Sequence, residues 1–185
     1  IADSMGYKAD DLYQKVRDGN WTFSEYLLLA EELSEDTDND GVVDIYSAGG
    51  GDNPYGAEVY LAGGSPVTYQ DGKWTYTLDS AAGIAGLEFM REVFYSSGTR
   101  FTGGAGTSRE MFRDGTCSML WAAGFYLSND VIKSCVFDFG VLPMPKSSDM
   151  DHYVDVISTP RHLTMMKGNV NENAVKAFLL WCGVM

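Results

Sequence analysis

Basic residues are scarce in this chain. Across 185 residues, 13 lysines and arginines stand against 26 acidic residues, a formal net charge of −13. A surface of that sign repels phosphate backbones and anionic headgroups, which argues against nucleic-acid binding. Histidine is scarcer still: His152 and His162 are the two in the chain, and neither lies in a metal-ligand spacing. Three cysteines, Cys117, Cys135 and Cys182, are too few and too scattered for a disulfide framework or a zinc site. No window approaches the roughly 18–20 consecutive apolar residues of a membrane-spanning helix, and no basic-then-apolar leader opens the sequence. P-loop, dinucleotide and GxSxG signatures are all missing. The chain opens on Ile1 and stops at Met185 within or just after an amphipathic stretch, so it reads as an excised piece whose targeting signals are expected outside it.

What remains is enough apolar residue, 45% of the chain, for a sizeable core. Ala9 to Val16 is weakly helical, and Gly19-Asn20 breaks it. Thr22 and Glu25 have capping-box spacing, followed by an apolar face of Tyr26, Leu27, Ala30 and Leu33. Val42 to Tyr46 reads as a short strand, and Ser47 to Asn53 as a glycine-rich loop. Pro54 opens a helix that Gly63-Gly64 ends. Val67 to Leu78 reads as a hairpin turning at Asp71-Gly72. Asp79 or Ser80 caps a helix carrying Ile84, Leu87, Met90, Val93 and Phe94 that ends near Gly98. Val131 and Ile132 suggest a short helix. Phe137 to Leu142, Tyr153 to Ser158 and Leu163 to Met166 read as strands, and Asn171 caps a final amphipathic helix. Strands alternate with helices, so the class is α/β.

Thr107 to Tyr126 is the central stretch. Thr107 and Glu110 have capping-box spacing for a helix that Gly115 ends. Thr116 to Ala122 alternates with apolar or small residues on both faces, as a strand covered on both sides does. Gly124 then permits a turn that delivers Phe125 and Tyr126 at the strand's end, where ligands of α/β sheets bind. Taken alone, the two aromatics also read as core residues opening the next helix.

The sharpest local motif is Asp36-Thr37-Asp38-Asn39-Asp40-Gly41-Val42-Val43-Asp44. Asp36, Asp38, Asp40 and Asp44 fall at positions 1, 3, 5 and 9 of an EF-hand-type calcium loop. Glycine stands at position 6, and the Val42 carbonyl falls at position 7. Position 12 is Ser47 in place of the bidentate Glu. The same run also reads as a solvated acidic turn built from Asx-turns.

Aromatic residues number 4 Trp, 11 Tyr and 9 Phe. Most of them must be core, but Tyr55 beside the glycine loop and Phe125-Tyr126 after a strand suit sugar rings, whose C–H faces stack while their hydroxyls seek polar edges. A carbohydrate hydrolase would need two carboxylates about 5–10 Å apart, and the sequence singles out no such pair.

Four pieces in order carry a wider resemblance: WTFSEYLLLAEELSEDTDNDGVVDIYS, YLAGGSPVTYQDGKWTYTLDSAAGIAGLEFMREVF, EMFRDGTCSMLWAAGFY and DFGVLPMPKS. Together they resemble the extracellular solute-binding proteins of ABC importers, the maltose-binding-like family 1. The resemblance implies a periplasmic-binding-protein-like type II lobe, three layers of helix, mixed sheet and helix. Residues 1–148 would form the second lobe of a two-lobed receptor, and 149–185 the hinge return and start of a segment belonging to the first. It implies a monomeric, non-enzymatic protein, membrane-anchored as a lipoprotein, that hands a solute, expected to be a sugar, to permease subunits. Phe125 or Tyr126 aligns with an aromatic that stacks on sugar, and Asn53-Pro54-Tyr55 resembles the family's Glu-Pro-Tyr. Relatives that bind acidic oligosaccharides carry a structural calcium loop where Asp36 to Asp44 stands. The alternatives are a carbohydrate-active hydrolase and a calcium-stabilised surface domain without a small ligand.

Overall fold

Thr22 ends an extended stretch and accepts a hydrogen bond from the Glu25 N–H at 3.4 Å, so the helix that follows starts where the capping signal places it. In the computed structural model, which describes residues 6–50, 56–96, 98–122 and 130–155 together with Asn173 and Lys176, this helix is α2 (Phe23–Glu32), preceded by α1 (Ala9–Arg17). Strand β1 (Tyr46–Gly50) leads towards α3 (Ala57–Leu61). The hairpin β2 (Val67–Gln70) and β3 (Lys73–Tyr76) comes next, then α4 (Ala81–Arg91), which continues as one π-helical turn over Glu92–Ser96. Helix α5 (Ala105–Asp114), strand β4 (Cys117–Trp121) and the short α6 (Asp130–Lys133) complete the described elements.

Strands β1 and β4 pair in parallel, with Ala48 opposite Met119 and Gly50 opposite Trp121. On the far side of β1, Thr99 to Phe101 runs alongside it: Ser47 N–H donates to the Thr99 carbonyl and Phe101 N–H to that of Ala48, both at 2.9 Å. Neighbouring residues of a strand face opposite ways. Ala48, Met119 and Trp121 join the main core with Trp21, Tyr26, Leu29, Leu33, Phe89 and Val93. On the other face, the buried Ser108 of α5 lies against Gly49. Helices therefore cover both faces of the strands. Trp21 ties the early chain to the late one, its indole N–H donating to the Pro143 carbonyl at 2.9 Å.

Several expectations shift. The strand expected at Val42–Tyr46 lies at Tyr46–Gly50, inside the expected loop. Close packing sets the actual position. A Cβ at Gly49 would sit 2.9 Å from the Ser108 Cβ, and one at Gly50 2.6 Å from the Trp121 carbonyl. Glycines are what allow β1 to lie there.

Phe137 to Leu142 forms no strand. Phe137 and Phe139 instead turn their rings edge-on to Phe112, and Gly140 lies against the Tyr13 hydroxyl. Thr107 is not a cap, because α5 already starts at Ala105 after Gly104. Helix α3 starts at Ala57, behind a left-handed Gly56; the start expected at Pro54 lies outside the described residues. Leu27 packs against the core but is only partly buried, and Leu29, not expected there, is fully buried. In α4 the buried line is Gly83, Gly86 and Phe89, while Ile84 faces solvent. The hairpin, its turn (Asp71 and Gly72 both at positive φ), the Ser80 cap and the short helix at Val131-Ile132 stand as expected. Tyr153 to Asp155 is not in a strand. The rest of that strand, the one at Leu163 to Met166 and the final helix fall essentially outside the described residues.

Candidate functional site

Because β1 and β4 are parallel and in register at Gly50 and Trp121, the chain leaves both strands at the same edge of the sheet. That is the carboxyl edge, where α/β proteins place their ligands. Asn53 and Tyr55 follow β1 by a few residues, and Phe125 and Tyr126 follow β4 by a few. All four lie outside the described residues, but the strands that carry them end side by side. Trp121, the last residue of β4, is structural: its ring centroid lies 5.3 Å from that of Tyr26 and 5.9 Å from that of Phe94.

Beside these strands are two charged residues that sequence reading did not single out. Arg100, opposite Ala48, is buried with its guanidinium 4.0 Å from the centre of the Phe94 ring, a cation–π contact. Glu58, in the first turn of α3, is only 4% exposed, and its Oε2 has no hydrogen-bond partner. Burial pushes its carboxyl up from the ordinary range, with the positive charge of Arg100 opposing that in part. Nothing in the sequence separates these two from surface charges, since each stands beside glycine-containing loop sequence and not on an apolar periodic face. Cys117 is a buried thiol raised to about 12 by desolvation, and so stays protonated and inert.

The acidic loop is held shut at its base, where Glu35 and Ile45 exchange two backbone hydrogen bonds of 3.0 Å. Within it the structure brings Asp36, Asp38 and Asp40 together, with one carboxylate oxygen of each within 4.8 Å of the others. Backbone donors shape the cluster. Asp36 accepts from the N–H groups of Asp40 at 3.2 Å and Gly41 at 2.8 Å, and Asp40 accepts from Val42 at 2.8 Å. Asn39 and Gly41 supply the positive φ that the turn needs. Asp44 turns instead to Thr37, accepting from its hydroxyl and its N–H, and the hydroxyl bond first of all holds its carboxyl below the ordinary range. Val42 points its side chain to solvent, as a position that offers only a carbonyl can. Three convergent carboxylates of like charge are the hard-oxygen donor set that a calcium ion takes.

A family model described as bacterial extracellular solute-binding protein matches residues 5–183. No curated protein matches the chain. Among solved structures, it is similar to UgpB from Mycobacterium tuberculosis in complex with glycerophosphocholine, with a TM-score of 0.50 and 23% sequence identity. The likeness covers 70% of this chain and 31% of that one, so this chain spans less than a third of its solved relative. At that identity the likeness speaks to fold, and the fold is that of part of a type II periplasmic-binding-protein lobe.

Proposed function

Since this chain belongs to the bacterial extracellular solute-binding protein family, we propose that it is part of the substrate-binding component of an ABC importer. It captures a small solute outside the cytoplasm and presents it to membrane permease subunits, without transforming it. The observation that carries this reading is the shared carboxyl edge of β1 and β4, from which the Asn53–Tyr55 and Phe125–Tyr126 segments both depart. Aromatic residues that follow two adjacent strands in sequence suit a polyhydroxylated solute, held by stacking on its C–H faces and by polar contacts to its hydroxyls. A carbohydrate or oligosaccharide is therefore the proposed ligand class, with Tyr126 or Phe125 as stacking platform and Asn53 and Tyr55 as further contacts. Residues 1–148 are assigned to the second lobe of a two-lobed monomer and 149–185 to the return towards the first, with anchoring by a lipid outside this sequence.

A thermal-shift panel tests this. Mono- and oligosaccharides and glycerophosphocholine are titrated against the protein while product is assayed by chromatography. A saturable rise in melting temperature without product supports the reading, because a ligand that binds only the folded state stabilises it by mass action. Product release sinks it in favour of a hydrolase, and a flat panel removes the proposed ligand class.

We also propose that the Asp36–Asp44 loop holds a structural calcium ion remote from the solute. The convergence of Asp36, Asp38 and Asp40 supports this. Binding would relieve their mutual repulsion, with Val42 offering its carbonyl and Asp44 reached by exchange of its bond to Thr37.

A further inference from the structure

The β2–β3 hairpin turns its aromatic face to solvent. Its register pairs Val67 with Tyr76 and Tyr69 with Trp74, and residues two apart on a strand share a face, so these four side chains form one surface. They are 48%, 62%, 59% and 67% exposed in that order. The Tyr69 and Trp74 ring centroids lie 5.0 Å apart. The reverse face carries Thr68, Gln70, Lys73 and Thr75. Among the described residues, the two strands make their principal contacts with each other. A two-stranded ribbon is marginal by itself, and three or more strands or a packed layer are needed to hold one. The alternation here is that of a ribbon patterned to lay one face on a neighbour.

We propose that this face is an interface, and that its occupant is the portion of a full-length solute-binding protein lying outside these 185 residues. The proposal rests on the two-lobed reading above. Two observations select that occupant. The matched 70% of this chain covers 31% of the solved UgpB chain, so a full-length protein of this fold has further chain available to lie against it. None of the four residues carries a charge, which is the character of a permanent contact and not of a transient one, whose rims are polar and charged.

The test compares the 185-residue chain with the longer gene product that contains it, using acrylamide quenching of Trp74. The Trp74→Phe variant of each provides the background from the other three tryptophans. In the longer protein, Trp74 emission is expected to shift to the blue and its quenching constant to fall several-fold. Trp74→Arg is expected to lower the melting temperature of the longer protein and leave that of the 185-residue chain unchanged. Equal quenching in both overturns the proposal, as does a gene product that proves to be these 185 residues alone. Protection that grows with protein concentration in the short chain, or that appears only on adding oligosaccharide, assigns the face to a second copy or to a glycan and also overturns it. None of these readouts depends on solute binding, so failure of the thermal-shift panel leaves this test intact.

Discussion

Glu58 is the residue whose surroundings fit its charge least. A carboxyl at 4% exposure with one oxygen unpartnered costs stability when ionised, and Arg100 relieves only part of that. Its folded-state pKa is raised, so between the ordinary carboxyl range and the raised value the folded protein holds more protons than the unfolded chain. Stability contributed here is full at acid pH and declines as pH rises through that window. Glu58→Gln is expected to raise the melting temperature at pH 7, with a gain that vanishes towards pH 4, as pH-dependent denaturant titration would read out. A destabilised variant at neutral pH would mean that the carboxylate is needed as such. Tyr126 is the residue to change for binding. Tyr126→Ala is expected to weaken solute affinity by about 1–3 kcal/mol, the scale of a lost aromatic stacking partner, without a change in the melting temperature of the free protein. Calorimetry with the best-binding panel member checks it, and unchanged affinity would return the aromatic to a core role.

Between elements, the glycines divide into those that packing requires and those it does not. A Cβ at Gly86 would lie 2.5 Å from both the Glu58 carbonyl and the Val59 Cα, so α3 and α4 meet backbone to backbone there. Gly86→Ala is expected to cost about 1–3 kcal/mol by forcing the helices apart. At Gly106 in α5 a Cβ would find only the end of Arg109, 3.9 Å away. Gly106→Ala should stabilise by about 0.4–1 kcal/mol through a less flexible unfolded chain. Opposite signs in urea melts of the two variants are the expected result. The same contrast shows what the sequence made readable. Local signals with a single cause, the Thr22 and Ser80 caps and the Asp71-Gly72 turn, placed their elements correctly. Strand β1 was displaced because its position depends on Ser108 and Trp121, distant in sequence, and no window of residues contains both. The Val93 and Phe94 end of the α4 face was read correctly, but its Gly83-Gly86-Phe89 line was missed for a related reason: glycine reads as a poor helix former until its neighbour's backbone is known. The aromatic pair after β4 lies outside the described residues, while Glu58 and Arg100 became visible only through burial.

For the whole molecule, the acidic surplus and the proposed calcium site in the Asp36–Asp44 loop are linked. With a formal charge of −13, a cation held by three clustered carboxylates removes repulsion locally and lowers the net charge. Calcium in millimolar excess is expected to raise the melting temperature, and a chelator to reverse the rise. Asp38→Asn should blunt the response, and Asp40→Asn likewise. Indifference of the wild-type melt to both additions would leave the loop as an acidic turn closed by Glu35 and Ile45. Magnesium is the control, because its strict octahedral demand suits a flexible carboxylate loop poorly.

The pairing of Gly50 with Trp121 also sets an order of events in time. About seventy residues separate the two strands, so β1 has no β4 ladder partner until that many further residues have been synthesised, and closing so long a loop is entropically slow. Helix α2, with its own cap, can form early, while the Ala48–Gly50 backbone stays unpaired on its β4 side. A chain that completes its sheet late remains extended for longer, and an extended chain is the form in which a polypeptide is threaded across a membrane.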